Sequence, residues 1–74
     1  MNKREMLREQ LEEDVLRAKS NYQAWEESYK HYLSMGNDAS LGLLSYYKTE
    51  AEVAYEVWQY KLKCFNRKFK ALEN

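Results

Sequence analysis

The sequence predicts an all-α protein, an antiparallel two-helix hairpin of coiled-coil-like character that dimerises into a four-helix bundle. Three observations lead there. Pro is absent, Gly occurs only at positions 36 and 42, Ile is missing, and Val and Thr together number four, a composition that favours helix over strand. Apolar residues recur at steps of three and four through two long stretches, separated by a short run of turn residues. The second stretch carries two apolar rows where the first carries one, so a single partner helix cannot cover it.

The first helix is predicted over about residues 3–35. Asn2 followed by Glu5 resembles a capping box, in which Asn2 accepts from the backbone of the first turn and Glu5 reaches back. The apolar positions then run Leu7, Leu11, Val15, Ala18, Tyr22, Trp25, Tyr29 and Tyr32, in strict heptad steps from Leu11 onwards. The remaining faces carry Lys19, Ser20, Gln23, Glu26, Glu27, Lys30 and His31, a solvated surface. The pairs Glu13 to Arg17 and Glu26 to Lys30 have the favourable acid-first order, which contributes about 0.2 to 0.5 kcal/mol each in an isolated helix.

Residues 36–40 read as the connection. Gly36 supplies the left-handed residue that commonly closes a helix, and Asn37, Asp38 and Ser40 are all good caps for the next one. So short a link makes the two helices antiparallel neighbours.

The second helix is predicted over about residues 41–72, with Gly42 weakening its first turn. Its seam is Leu44, Tyr47, Ala51, Ala54, Trp58, Leu62, Phe65, Phe69 and Leu72, a heptad pattern with one extra step between Trp58 and Leu62. Such a stutter locally unwinds a supercoil. The second row, Leu43, Tyr46, Val53, Val57, Tyr60 and Cys64, lies about 100° around the helix from the first, as 3.6 residues per turn requires.

Folding the two patterns about residue 38 places residues whose numbers sum to about 76 opposite each other. Trp25 then faces Ala51, Tyr22 faces Ala54 and Ala18 faces Trp58, so large meets small in each layer, as close packing demands. Leu11 meets Phe65, Leu7 meets Phe69, and Tyr29 with Tyr47 and Tyr32 with Leu44 close the loop end. The stutter puts Leu62 opposite Val15 in place of Lys61. The same register sets Glu9, Glu12, Glu13 and Asp14 beside Lys61, Lys63, Arg67 and Lys68, which selects antiparallel pairing.

Composition bounds the function. A chain of 74 residues is a single domain, and at this size folding buries only about 60% of the unfolded surface, so association is an expected source of stability. One Cys forms no intrachain disulfide, and one Cys with one His gives no tetrahedral metal site within one copy; no metal or other cofactor is expected. Twelve basic and twelve acidic residues cancel, which argues against a chain-wide attraction to nucleic acid or an anionic membrane. The N-terminal segment is charged where a signal peptide would be apolar, and no run approaches a membrane span, so a cytoplasmic protein without membrane contact is expected. The adjacent pairs Glu12 with Glu13 and Glu26 with Glu27 diverge along a helix and make no catalytic dyad, and there is no glycine-rich phosphate loop or nucleophile elbow. An enzyme is not expected.

Two sets of residues are candidates for function. The second row, Leu43, Tyr46, Val53, Val57, Tyr60 and Cys64, is the expected surface for self-association or for a protein partner, and Tyr55 joins Tyr46 and Tyr60 among the tyrosines suited to an interface. Lys61, Lys63, Arg67, Lys68 and Lys70, interleaved with Phe65 and Phe69, are the candidate nucleic-acid contacts, since cations neutralise phosphates and rings stack on bases. Against that, the two phenylalanines occupy seam positions, and cations near a helix C-terminus also complement its dipole. Cys64 reads as a small buried apolar residue and His31 as a solvated one.

The leading expectation is a protein–protein interaction module, an adaptor, inhibitor or structural subunit, acting as a homodimer whose subunit contact is second helix against second helix. The architecture is similar to that of Rop-type hairpin dimers, and this likeness implies, as the alternative, an RNA- or DNA-binding dimer that uses the basic C-terminal ends. A further alternative is a subunit of a larger helical assembly, with the second row packing head to tail.

Overall fold

In the computed structural model, which describes residues 2–36 and 41–69, the chain is two helices packed side by side, α1 (Lys3–Ser34) and α2 (Leu41–Phe69). The molecule measures 55 × 19 × 16 Å, with a radius of gyration of 16.0 Å. A compact globule of this length would have about 11 Å, so the hairpin is a rod.

The ends of α1 follow from its sequence. The side-chain oxygen of Asn2, itself in an extended conformation, accepts a 2.8 Å hydrogen bond from the Glu5 backbone N–H. That occupies one of the donors a helix N-terminus leaves without an intrahelical partner. At the other end Met35 donates to the Tyr32 carbonyl at 3.2 Å, and Gly36 follows with φ of 64°, where a Cβ would be strained. The expected caps Asn37, Asp38 and Ser40, and the seam residue Leu72, lie outside the described residues.

The core is a single file of seam side chains. Val15, Ala18, Trp58, Leu62 and Phe65 form one buried cluster, with Leu11, Tyr22 and Phe69 packed on its edges. Ala51 and Ala54 are buried nearer the loop. No polar or charged residue among those described is buried. The stutter is visible here: Leu62 is 5% exposed against Val15 at 2%, while Lys61 turns to the edge and its ammonium meets both carboxylate oxygens of Asp14 at 2.8 Å. That pair, with numbers one short of 76, locates the register.

Individual rings depart from the simplest layer scheme. Tyr22, expected against Ala54, stacks on Trp58 with centroids 5.6 Å apart and meets Tyr55 edge-on at 5.2 Å. Side chains of a helix lean toward its N-terminus, and in an antiparallel pair Tyr22 and Trp58 therefore lean toward each other. At the loop end Tyr47 stacks on Tyr32, centroids 4.7 Å apart, where Tyr29 was the expected partner. A side-chain hydrogen bond with Tyr32 holds the Tyr47 hydroxyl above its ordinary pKa.

The expected meeting of charge blocks is also narrower than the register implied. Asp14 with Lys61 is the cross-helix ion pair among the described residues, while Glu13 turns to Arg17 on its own helix at 2.7 Å. Lys63 and Arg67 stand on the far side of α2 from the seam, out of reach of α1. Cations from elsewhere cap the rings: the Arg4 guanidinium lies 5.3 Å from the centroid of Phe69 and the Lys19 ammonium 5.8 Å from that of Trp58.

Candidate interaction surfaces

The outward row of α2 is exposed from end to end. Tyr46 is 53% exposed, Val53 50%, Val57 42% and Tyr60 69%, with Leu43 also exposed, and the free thiol of Cys64, expected to be buried, is exposed as well because this row faces away from α1. Helical geometry decides this, because residues about 100° from the seam point away from α1. Tyr46 is an intermediate case, its ring meeting Trp25 edge-on at 5.9 Å while its outer edge stays in water. The row is an apolar strip on one flank of the rod, interrupted by Glu50 between Tyr46 and Val53, with nothing comparable in the middle of α1.

Tyr55 belongs elsewhere. It stands on the opposite flank of the Trp58 seam from Val57, with its ring 5.8 Å from that of Trp58. There it borders a groove of about 630 Å³ between the helices, floored by Tyr29, Leu33 and Ala51. The sequence reading did not single out this groove. Its signal was the small residue Ala51 in a seam of large ones, flanked by tyrosines on both helices.

A chain of polar contacts runs along the groove's α1 rim. The Tyr22 hydroxyl donates to Glu26, and the Lys30 ammonium lies 2.8 Å from the same carboxylate. The hydrogen bond from Lys30, reinforced by that from Tyr22, holds the Glu26 carboxyl below its ordinary pKa. Glu26 in turn raises Lys30 and, chiefly through the hydrogen bond, Tyr22. These shifts record an internally satisfied surface triad.

The basic end of α2 is partly engaged. Phe65 is 2% exposed and Phe69 half-buried, so their faces are occupied by the core and by Arg4. Lys61 is held by Asp14, while Lys63, Arg67 and Lys68 are exposed. Lys70 lies outside the described residues.

Among the described residues no three His, Cys, Asp or Glu side chains converge as metal ligands, and no helix is long and apolar enough to cross a membrane. His31 is exposed, its ring edge-on to Tyr32. Comparison with protein-family models, with curated proteins and with solved structures gives no match.

Proposed function

We propose that this chain is a small, non-enzymatic protein–protein interaction module that self-associates through the outward row of α2 into a homodimeric four-helix bundle. Its remaining exposed faces engage a further protein, as an adaptor, inhibitor or structural subunit. The observation that supports this is the strip formed by Leu43, Tyr46, Val53, Val57, Tyr60 and Cys64, exposed along the flank of α2 that faces away from α1. Burying a large apolar side chain completely contributes about 1.5 to 3 kcal/mol, so half-exposed members of the strip forgo roughly half of that each while it stays in water. Two apolar rows on adjacent sides of one helix suit a helix with two neighbours in a bundle. An exposed free thiol also fits a reducing, cytoplasmic setting.

Sedimentation equilibrium tests the reading. Wild-type protein should run as a dimer, and Val53→Glu combined with Val57→Glu should give a monomer or an unfolded chain, whereas Gln23→Glu on α1 should leave the dimer intact. A double variant that associates as well as wild type would remove the strip from the account.

The exposed Lys63, Arg67 and Lys68 favour a second reading, a nucleic-acid-binding dimer. Phosphate-driven binding weakens steeply between about 50 and 200 mM salt, so titration with duplex and single-stranded nucleic acid decides it. Absence of binding at the lower salt excludes this reading. In a larger assembly, by contrast, the strip would join copies head to tail, and the sedimenting mass would grow with concentration beyond any fixed oligomer.

A further inference from the structure

The exposed strip carries more order than its apolar residues alone reveal. With the two polar positions that continue it, it reads Leu43, Tyr46, Glu50, Val53, Val57, Tyr60, Cys64 and Arg67, separated by 3, 4, 3, 4, 3, 4 and 3 residues. This is a second heptad seam without a stutter, on the flank of α2 that α1 leaves open. An unbroken seam asks for a helix with the same repeat. The seam of α1 is already used in the hairpin core, which leaves α2 of a second copy.

We infer that the second seam pairs with itself, antiparallel, about a two-fold axis at Tyr55, so that residues of the two copies whose numbers sum to 110 lie opposite. The inference rests on the self-association proposed above and specifies its partner and register. In this register Val53 lies opposite Val57 of the other copy, Tyr46 opposite Cys64, Glu50 opposite Tyr60, and Leu43 opposite Arg67. Every layer joins an a position to a d position, as antiparallel coiled coils require.

Three features favour it over the alternatives. Large Tyr46 meets small Cys64, and the two valines nearest the axis are equal in size, so the layers match in volume. Charge is also matched. Glu50 sits on the inner edge of the seam toward its N-terminal end, and Lys61 and Lys68 on the same edge toward its C-terminal end, so antiparallel pairing brings Glu50 beside the other copy's Lys61. An ammonium has three donors, and Lys61 can meet that carboxylate while keeping Asp14. A parallel pairing would set Glu50 against Glu50 and Arg67 against Arg67 within the seam, although it would also bring Glu56 of one copy beside Lys61 of the other. The antiparallel register does bring Glu56, on the outer edge, toward Glu56 of the other copy, a cost the apolar layers must outweigh.

The third feature is extent. This register covers all eight seam positions of both copies, whereas a shift by one heptad toward the C-terminus leaves Leu43 and Tyr46 uncovered. Tyr46 and Tyr60, at 53% and 69% exposed, together leave on the order of 250 Å² in water if each ring offers about 200 Å². A standard interface takes about 800 Å² per partner, so the whole row and the stems of Lys61 and Arg67 are needed, which only the full overlap supplies.

The native thiol reports the register. Tyr46→Cys places a second thiol opposite Cys64 of the other copy, and mild oxidation of the dimer should give a covalent dimer whose disulfide, mapped by mass spectrometry, joins position 46 to Cys64. Wild-type protein has its two Cys64 residues at opposite ends of the seam, and its covalent fraction should be at least several-fold lower. Because Tyr46 also touches Trp25, a second variant carries the same test at exposed positions: Leu43→Cys with Arg67→Cys in a Cys64→Ser background, expected to join position 43 to position 67.

Sedimentation of the reduced proteins separates the two levels of the account. A monomer overturns both the association and its register. A dimer in which wild-type Cys64 joins Cys64 shows a parallel contact and overturns the register alone. A reduced dimer that yields neither mapped disulfide in either variant shows a shifted seam and does the same.

Discussion

The two apolar faces of α2 are drawn from the same kinds of residue and end in opposite surroundings. The seam that includes Trp58, Leu62 and Phe65 is buried against α1, while the row that includes Val53, Val57 and Tyr60 stays in water. The difference is one of partners: α1 offers a single apolar stripe, and a single stripe covers a single face. The inner face holds the hairpin together, and on the proposed reading the outer face carries its association.

The sharpest way to break this comparison is to truncate one large ring on each face. Phe65→Ala removes a ring that is 2% exposed and should cost about 3 to 5 kcal/mol, enough to unfold so small a domain or bring it close to unfolding. Tyr60→Ala, on a ring 69% exposed, should change the stability of the dilute hairpin by less than about 0.5 kcal/mol while weakening association. Denaturant unfolding at low protein concentration, followed by circular dichroism, separates them. Equal losses would mean that the two faces do not divide folding and association.

Overpacking probes the same division more gently. Ala54→Trp forces an indole into a buried position and should destabilise by about 1 to 3 kcal/mol, whereas Ala24→Trp, at an exposed position of α1, should be near neutral. Thermal melts that tolerate both equally would count against the register of the hairpin core.

The smallest effect concerns the groove opposite the strip. Glu26 has a folded-state pKa below its ordinary 4.5, so its contribution is complete above 4.5 and lost as pH falls through the lower folded value. Lys30, raised above 10.5, contributes fully below 10.5 and loses that contribution as pH rises through its folded value. The melting temperature of wild type should therefore exceed that of Glu26→Gln by a small margin near neutrality, and the margin should shrink in acid and in strong base. A margin that does not change between about pH 7 and pH 3 would show that the triad of Tyr22, Glu26 and Lys30 does not stabilise the fold.

How far the sequence disclosed this arrangement depends on the scale. Heptad spacing and the Asn2 and Gly36 signals sufficed for both helices, and the stutter at Leu62 was legible because Lys61 in a core layer would have been an unpaired charge. The sum rule located the backbone register, yet missed the Tyr22 stack on Trp58 and the Tyr32 stack on Tyr47. Ring direction depends on rotamer and helix lean, which spacing alone does not encode. The charge blocks were over-read for a related reason: Glu13 has a nearer partner on its own helix, and Lys63 and Arg67 face away from α1. The groove beside Tyr55 was missed because a cavity is a property of two surfaces, and the row pattern describes one at a time.

The most direct test of the claim that folding and association are carried by different faces of α2 is the melting temperature of wild-type protein measured over a wide range of concentration. Linked folding and dimerisation make that temperature rise with concentration, since the associated state gains by mass action. The account predicts a steady rise for wild type and none for any folded form of the Val53→Glu, Val57→Glu variant. A wild-type melting temperature that stays constant over a hundredfold range, with the 9.0 kDa chain remaining monomeric throughout, would contradict it.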